Sequence, residues 1–349
     1  MDKLKKTVLV TGATGFLGSH VLEALMSDNN IRLIAACRDS AKLLPGFDGE
    51  VRQGDLTDNS YVNELVKNVD VICHAAAWTS LWAHRTEEQR FYREPTIQLI
   101  EAAINSGVQR FIFDSSVVIS GPRRNGETIG DHERANYPRH WPHMDIVVDI
   151  ENYMRAQSNR GTAMVSLRCG HFVGERFNLG FLSLLLPRLK THMVPWVDGG
   201  RARVPLVDGR DLGDAYALAA TAQGLKGFES YNICGPSFPT MREVVDFLHK
   251  EAGVPKPHFG VPLSAAYVFA WLMEKLNPLL PGDPFLTRSI VFLGEDWFAP
   301  SALARERLGY EPKIDWKTAV RRQLKDMERQ GYPTISLVDG SRWWARAGG

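Results

Sequence analysis

Near the start of the chain, Thr11, Gly12, Ala13, Thr14, Gly15, Phe16, Leu17 and Gly18 follow a β-branched run, Lys6 to Val10. They precede an apolar helical pattern running from about Phe16 to Met26. Glycines at 12, 15 and 18 let the backbone turn tightly and let a pyrophosphate approach the helix N-terminus. There, free N–H groups and the helix dipole favour negative charge. Gly18 also permits close helix–sheet packing. The segment therefore predicts a dinucleotide site.

A second strand, Ile31 to Ala36, leads into Cys37 and Arg38. A site preferring NAD usually places an acid at this point to accept from the ribose hydroxyls. The position falls on uncharged Cys37, and the next residue, Arg38, can pair with a 2′-phosphate. This predicts NADP(H) as the preferred cofactor, with NAD(H) possible. Against it, Arg38 can be a solvated side chain beside Asp39, whose charge opposes a phosphate. Asp55 suits the adenine amino group, with Leu56 flanking the ring. Ala75, Ala76 and Ala77, after His74, are small enough for the backbone to pass close under a cofactor.

The elements that must hold these residues alternate. Further strands are expected over Val69 to His74, Arg110 to Phe113 and Ala163 to Leu167, with helices around Tyr61 to Lys67 and Thr96 to Ser106. Such alternation predicts an α/β fold: a Rossmann-like, doubly wound parallel sheet covered on both faces. After about Arg168, Pro, Gly and aromatic residues interrupt the pattern. Helices are expected near Leu179 to Leu189, Leu212 to Ala222, Met241 to Ala252 and Trp316 to Gln330. The expected organisation is a nucleotide core over 1–168, with segments about 204–235 crossing back. A smaller, mixed C-terminal substrate lobe covers 169–333, and a tail 334–349 carries Trp343 and Trp344.

The ordered segments TGATGFLG at 11–18, GDLTD at 54–58, HAAA at 74–77, SSVVISG at 115–121, LRCGHFVG at 167–174 and VPLVDGRDLGDAYALA at 204–219 resemble the extended short-chain dehydrogenase/reductase family. The branch resembled contains 3β-hydroxysteroid dehydrogenases, dihydroflavonol reductases and sugar-nucleotide epimerases. The resemblance covers most of the chain and implies a nicotinamide enzyme, with His171 beside the nicotinamide and a possible homodimer.

That family uses a Ser or Thr to orient the substrate oxygen, a Tyr to move a proton and a Lys four residues later. The Lys binds the nicotinamide ribose and lowers the Tyr pKa. Ser116 fits the first position, with Ser115 as its alternative. The Tyr/Lys pair is absent: no Lys occurs from Asn68 to Leu189. With Glu151 as the anchoring acid, counting back puts Val147 in the Lys place and His143 in the Tyr place. An imidazole can transfer protons near neutrality, with Asp145 as a candidate neighbouring carboxylate. His143 can equally be a surface residue of a wet loop; Tyr137 is an alternative acid and Asp149 a weaker third.

The resemblance places Trp78 and Trp82 at the substrate border. Phe172, Tyr267 and Trp271 can join them in an apolar or aromatic pocket, and Arg203 can grip an anionic group; ordinary lobe packing is the competing reading of each. These residues support an NADP-dependent oxidoreductase acting on a ketone, aldehyde or secondary alcohol. The alternatives are a non-redox isomerase, lyase/dehydratase or cyclase, and a non-catalytic nucleotide-binding protein.

Composition agrees with an ordinary soluble protein: 349 residues, 44% hydrophobic, 23% charged, formal net charge +1. That balance gives no reason to expect nucleic acid or an acidic membrane surface. The four cysteines lack metal-ligand spacing, so no metal is expected, and isolated Cys fits a reducing, cytoplasmic setting. The apolar stretch Ala265 to Leu280 is interrupted by Glu274 and Lys275 and is short for a span. A buried helix or pocket wall is favoured there over a surface helix touching lipid.

Overall fold

The computed structural model describes residues 5–123, 126–176, 180–279 and 283–331. The tail from 334, with Trp343 and Trp344, lies outside them. The strands are β1 (Lys6–Thr11), β2 (Ile31–Cys37), β3 (Glu50–Gln53), β4 (Val71–His74), β5 (Arg110–Ser116), β6 (Ala163–Cys169), β7 (His171–Val173), β8 (Trp196–Val197), β9 (Leu206–Asp208), β10 (Phe228–Ile233) and β11 (Gly260–Val261). The helices are α1 (Phe16–Leu25), α2 (Asn59–Leu65), α3 (Arg85–Glu88), α4 (Glu94–Asn105), α5 (Pro142–Gln157), α6 (Phe181–Lys190), α7 (Gly209–Thr221), α8 (Met241–Ala252), α9 (Leu263–Leu276), α10 (Arg288–Leu293), α11 (Ala302–Leu308) and α12 (Trp316–Arg329).

Seven strands form one sheet in the order β10-β6-β5-β4-β1-β2-β3, and every pairing is parallel. The near-continuous apolar strands are what a sheet buried on both faces requires. Alternation assigns the faces. Val8, Val10, Cys73, Ile112 and Val165 pack with α1 and α7. Leu9, Ile72, Phe111, Phe113 and Met164 pack with α2, α4 and α5.

The chain runs outward from β1 to β3, then returns to place β4 on the other side of β1. The crevice above the C-terminal ends of β1 and β4 is therefore the topological switch point, where such sheets bind ligands.

The second half contributes α7 and β10 to the main sheet. Its remaining helices α6, α8 and α12 enclose a separate apolar core with Val173, Leu206 and Trp316. Two small parallel pairs, β7–β9 and β8–β11, lie in this region. Among the described residues no helix is long and apolar enough to cross a membrane.

The stretch 265–280, favoured as a buried helix or pocket wall, is only half that. α9 buries Ala266, Ala270 and Glu274 and exposes Val268, Phe269, Leu272 and Leu276.

Candidate active site

The turn from β1 into α1 has the geometry of an anion cradle. Gly12 has φ +62°, and a Cβ there would lie 2.7 Å from the Ala76 backbone. The small residues Ala75 and Ala76 thus let two chain turns pass in contact. A Cβ on Gly18 would sit 2.1 Å from the Gly12 carbonyl oxygen, so helix and loop close only around glycine. No side chain caps the N-terminus of α1, and its first turn contains no acid. Thr14, Gly15, Phe16 and Leu17 complete the turn, and Gly15 is exposed at its tip. Uncapped N–H groups, the helix dipole and glycine backbone together fit a dinucleotide pyrophosphate.

At the end of β2, Arg38 is exposed. Its neighbour Asp39 accepts from the Ala41 N–H at 3.1 Å. Asp55 accepts from the Thr57 N–H and hydroxyl, both at 2.8 Å. These Thr57 bonds hold the Asp55 carboxyl below its ordinary range, helped by the Arg38 charge. Arg38 therefore sits in a field shared with two carboxylates. Leu56 is half-buried beside Asp55.

His74, under the crevice, is structural: its ring nitrogens meet the Thr11 hydroxyl at 2.8 Å and the Thr96 hydroxyl at 3.0 Å. Burial lowers its pKa to about 3. His171 is also buried, with Nε2 at 3.2 Å from the Leu293 carbonyl and its ring stacked on Phe181. Burial lowers its pKa to about 4, so it is a neutral scaffold at physiological pH. Phe172 packs against Phe16 with ring centroids 5.6 Å apart.

Ser116 ends β5 and is half-buried, its hydroxyl oxygen accepting from the Val118 N–H at 3.4 Å. Ser115 points to the opposite face and donates to Glu151 at 3.0 Å. Glu151 also accepts from Ser166 at 3.0 Å and pairs with Arg168, whose side chain is fully buried. The Ser115 hydroxyl is thereby committed to a buried structural network on the α5 side of the sheet.

His143 lies in the first turn of α5 and is buried, so the wet-loop alternative is corrected. Pro142 opens this helix at a position where a missing N–H costs nothing. The carboxylate beside His143 is Glu88, not Asp145: His143 Nδ1 is 2.8 Å from Glu88 Oε2. The other oxygen of Glu88 accepts from the Ser80 N–H at 2.9 Å and hydroxyl at 2.7 Å. Tyr92 stacks on His143 at 5.4 Å from a π-helical turn, Gln89–Arg93. Such turns recur at functional sites. Val147, in the Lys place, is buried among apolar residues.

Asp145 instead accepts from the Tyr137 hydroxyl and pairs with Arg85 at 2.5 Å. Burial, then this hydrogen bond, pushes the Tyr137 pKa well above its ordinary value. A phenol so held is a weak proton donor, which disfavours Tyr137 as the acid.

Trp78 packs edge-on against His84 at 5.8 Å, and Trp82 is half-buried nearby. The Tyr267 hydroxyl donates to Glu295, and its ring meets His140 edge-on at 6.1 Å. Two other substrate candidates are corrected. Arg203 is held by Asp296, with Nε and Nη2 at 2.8 and 2.6 Å, and stacks over Phe298. Its charge already has an internal partner. Trp271 is 44% exposed on the outer side of α9 rather than enclosed with Tyr267.

Sequence reasoning missed Glu88, His140 and Asp114. His140 Nε2 is buried without a hydrogen-bond partner among the described residues, between the rings of Tyr267 and Phe292. Asp114 precedes the two serines, its Oδ1 likewise unpartnered, and burial raises its pKa to about 7. An acid two residues before the Ser position was the available signal for Asp114. Glu88 sits in a charge-rich run that reads as solvated helix, and nothing local marks it.

Residues 8–234 match the family model described as the NAD dependent epimerase/dehydratase family. A 4-hydroxy-2-methyl-3-oxo-4-farnesyl-3,4-dihydroquinoline-1-oxide ketoreductase of Stigmatella aurantiaca is 24% identical, over 87% of this chain and 92% of that protein. A decarboxylating sterol-4-alpha-carboxylate 3-dehydrogenase of Dictyostelium discoideum is 25% identical, over 89% and 98%. The UDP-glucuronic acid 4-epimerase of Bacillus cereus, solved with UDP-glucuronic acid and NAD, superposes with a TM-score of 0.71 at 18% identity, over 93% and 99%. Several similarly folded structures were solved with NAD. This overturns the NADP preference drawn from Arg38, and the flanking carboxylates Asp39 and Asp55 supply the physical reason.

Proposed function

The chain belongs to the NAD dependent epimerase/dehydratase family, and from that premise we propose that this NAD(P)-dependent oxidoreductase/epimerase-type enzyme uses NAD(H) to rearrange a small hydroxy or keto substrate without net redox change. Nucleotide sugars are the substrate class held by the epimerases that share its fold. The observation that carries this reading is the buried His143–Glu88 pair: His143 stands in the Tyr place, Glu88 reaches it from α3, and the Lys place is taken by apolar Val147. The nucleotide core is residues 1–168 with 204–235 returned to it, and the substrate lobe is 169–333.

Gly12, Thr14, Gly15, Phe16, Leu17 and Gly18 hold the pyrophosphate, Asp55 and Leu56 the adenine, and Ala75 to Ala77 and His171 border the rest. When bound, the dinucleotide supplies a hydride acceptor and donor. Ser116 holds the substrate oxygen. Glu88 accepts from Nδ1–H of His143, which leaves Nε2 as the acceptor for a substrate proton. Glu88 then stabilises the imidazolium until the proton is returned. A proton taken and given back by one imidazole suits epimerisation or elimination, in which no proton is consumed overall.

A second reading, reduction of an apolar ketone, is favoured by the aromatic box of His140, Tyr267 and Phe292 and by the two oxidoreductase relatives. The test is incubation of nucleotide sugars and secondary alcohols with NAD+, and of ketones with NADH, reading product and NADH together. Product without NADH accumulation is expected. Stoichiometric NADH, or ketone reduction that consumes it, transfers the assignment to the oxidoreductase reading.

A further inference from the structure

We propose that the outer face of α9 docks on an anionic lipid surface. Among the exposed large hydrophobic residues, Val268, Phe269, Trp271, Leu272, Leu276 and Leu279 fall on this helix and the turn after it. At 100° per residue, Ala265, Val268, Phe269, Leu272 and Leu276 make one continuous outer stripe, and Trp271 flanks it. Ala266, Ala270 and Glu274 point the other way and are buried. Val268 is 59%, Phe269 53% and Leu279 81% exposed, so nothing within the described chain covers the stripe.

Charge decides the occupant. Within α9 the acid is Glu274, and it is turned inward, where it accepts from the Arg288 N–H at 2.7 Å and pairs with Arg288 Nε at 2.6 Å. The charged side chain left outside is Lys275, at the edge of the stripe. Asp198 is confined to the N-terminal end, accepting from the Leu263 N–H at 3.1 Å. An apolar stripe with an aromatic flank and a cation complements a lipid surface bearing anionic headgroups. Two copies of this face in contact would bring cations from both sides with no helix carboxylate to answer them.

At 14 residues α9 is too short to span a bilayer and would lie in the interfacial plane. Its inner side reaches the candidate site through Tyr267 and His140. One helix would therefore separate the lipid surface from the substrate lobe, whichever chemistry that lobe performs.

The test is flotation of the full chain with vesicles of phosphatidylcholine alone or with one-quarter phosphatidylglycerol, beside sedimentation velocity without lipid. Wild type is expected to float with the anionic vesicles. Phe269→Ser/Leu272→Ser is expected to lose most of the bound fraction, and Lys275→Glu to lose it on anionic vesicles specifically. NADH titration of each variant reports whether its nucleotide core is intact. The proposal is overturned if wild type stays unbound at vesicle excess, or if Lys275→Glu, with NADH binding intact, floats as wild type does. A dimer that the double serine variant dissociates, without vesicle binding by wild type, would assign the face to a second copy.

Discussion

Replacing His143 with Gln is expected to lower turnover about 10²- to 10⁴-fold, the usual worth of a positioned acid or base, with NADH affinity nearly unchanged. The selectivity follows from position. His143 starts α5 on the face of the sheet opposite α1, and its hydrogen-bond partner is Glu88 rather than any residue of the glycine turn. Removing the imidazole leaves the cradle of Gly12 and Gly18 untouched. Glu88→Gln should reproduce part of the loss. Its amide can still accept from Nδ1–H but no longer stabilises the cation formed when Nε2 takes a proton. The loss should appear in kcat, since neither variant alters Ser116, the residue proposed to hold the substrate oxygen. Unchanged turnover in His143→Gln would remove the imidazole from the chemistry and leave Asp114 or solvent as the proton carrier.

The second large effect is on stability. Arg168→Met is expected to cost about 3–5 kcal/mol, the range for breaking one side of a buried ion pair. Both partners are enclosed: the Arg168 side chain is 0% and the Glu151 side chain 5% exposed. Glu151 would retain Ser115, Ser166 and a longer contact with Arg155 at 3.7 Å. Two hydroxyls and a half-exposed guanidinium cannot replace a bidentate buried cation. The double variant Arg168→Met/Glu151→Leu should recover most of the loss, because no uncompensated charge remains. Denaturant midpoints for the three proteins measure this. Equal midpoints for wild type and Arg168→Met would mean water reaches the network.

The fold was legible because its signals are local and repeated. β-branched runs of four to seven residues, a glycine turn and amphipathic helical spacing each require only neighbours in sequence. Expected strands such as Lys6 to Val10 and Ala163 to Leu167 fall within the observed β1 and β6. The glycine turn carries its own explanation, since φ +62° at Gly12 and the contact of Gly18 with the Gly12 carbonyl admit nothing larger. The candidate site was legible only where a position could be counted. Glu151 fixed the register of α5 and so pointed to His143 and Val147.

Partnership was not legible. Glu88 lies 55 residues from His143 and meets it only because the π-helical turn and α3 fold over the start of α5. Asp145, close to His143 in sequence, is drawn away by Tyr137 and Arg85. Arg203 looked free because its partner Asp296 comes from another segment, and the field of Asp55 reaches Arg38 from a separate segment too. A charge that seems available in a sequence can share its surroundings with a distant carboxylate, as Arg38 does with Asp55, and that is how the cofactor preference was misread.

The most direct measurement is paired calorimetric titration of the purified chain with NADH and NADPH. Saturable NADH binding and markedly weaker NADPH binding are expected, because Asp39 and Asp55 oppose a 2′-phosphate at the end of β2. NADPH binding as tight as NADH, or no binding of either, would contradict the NAD(H) assignment.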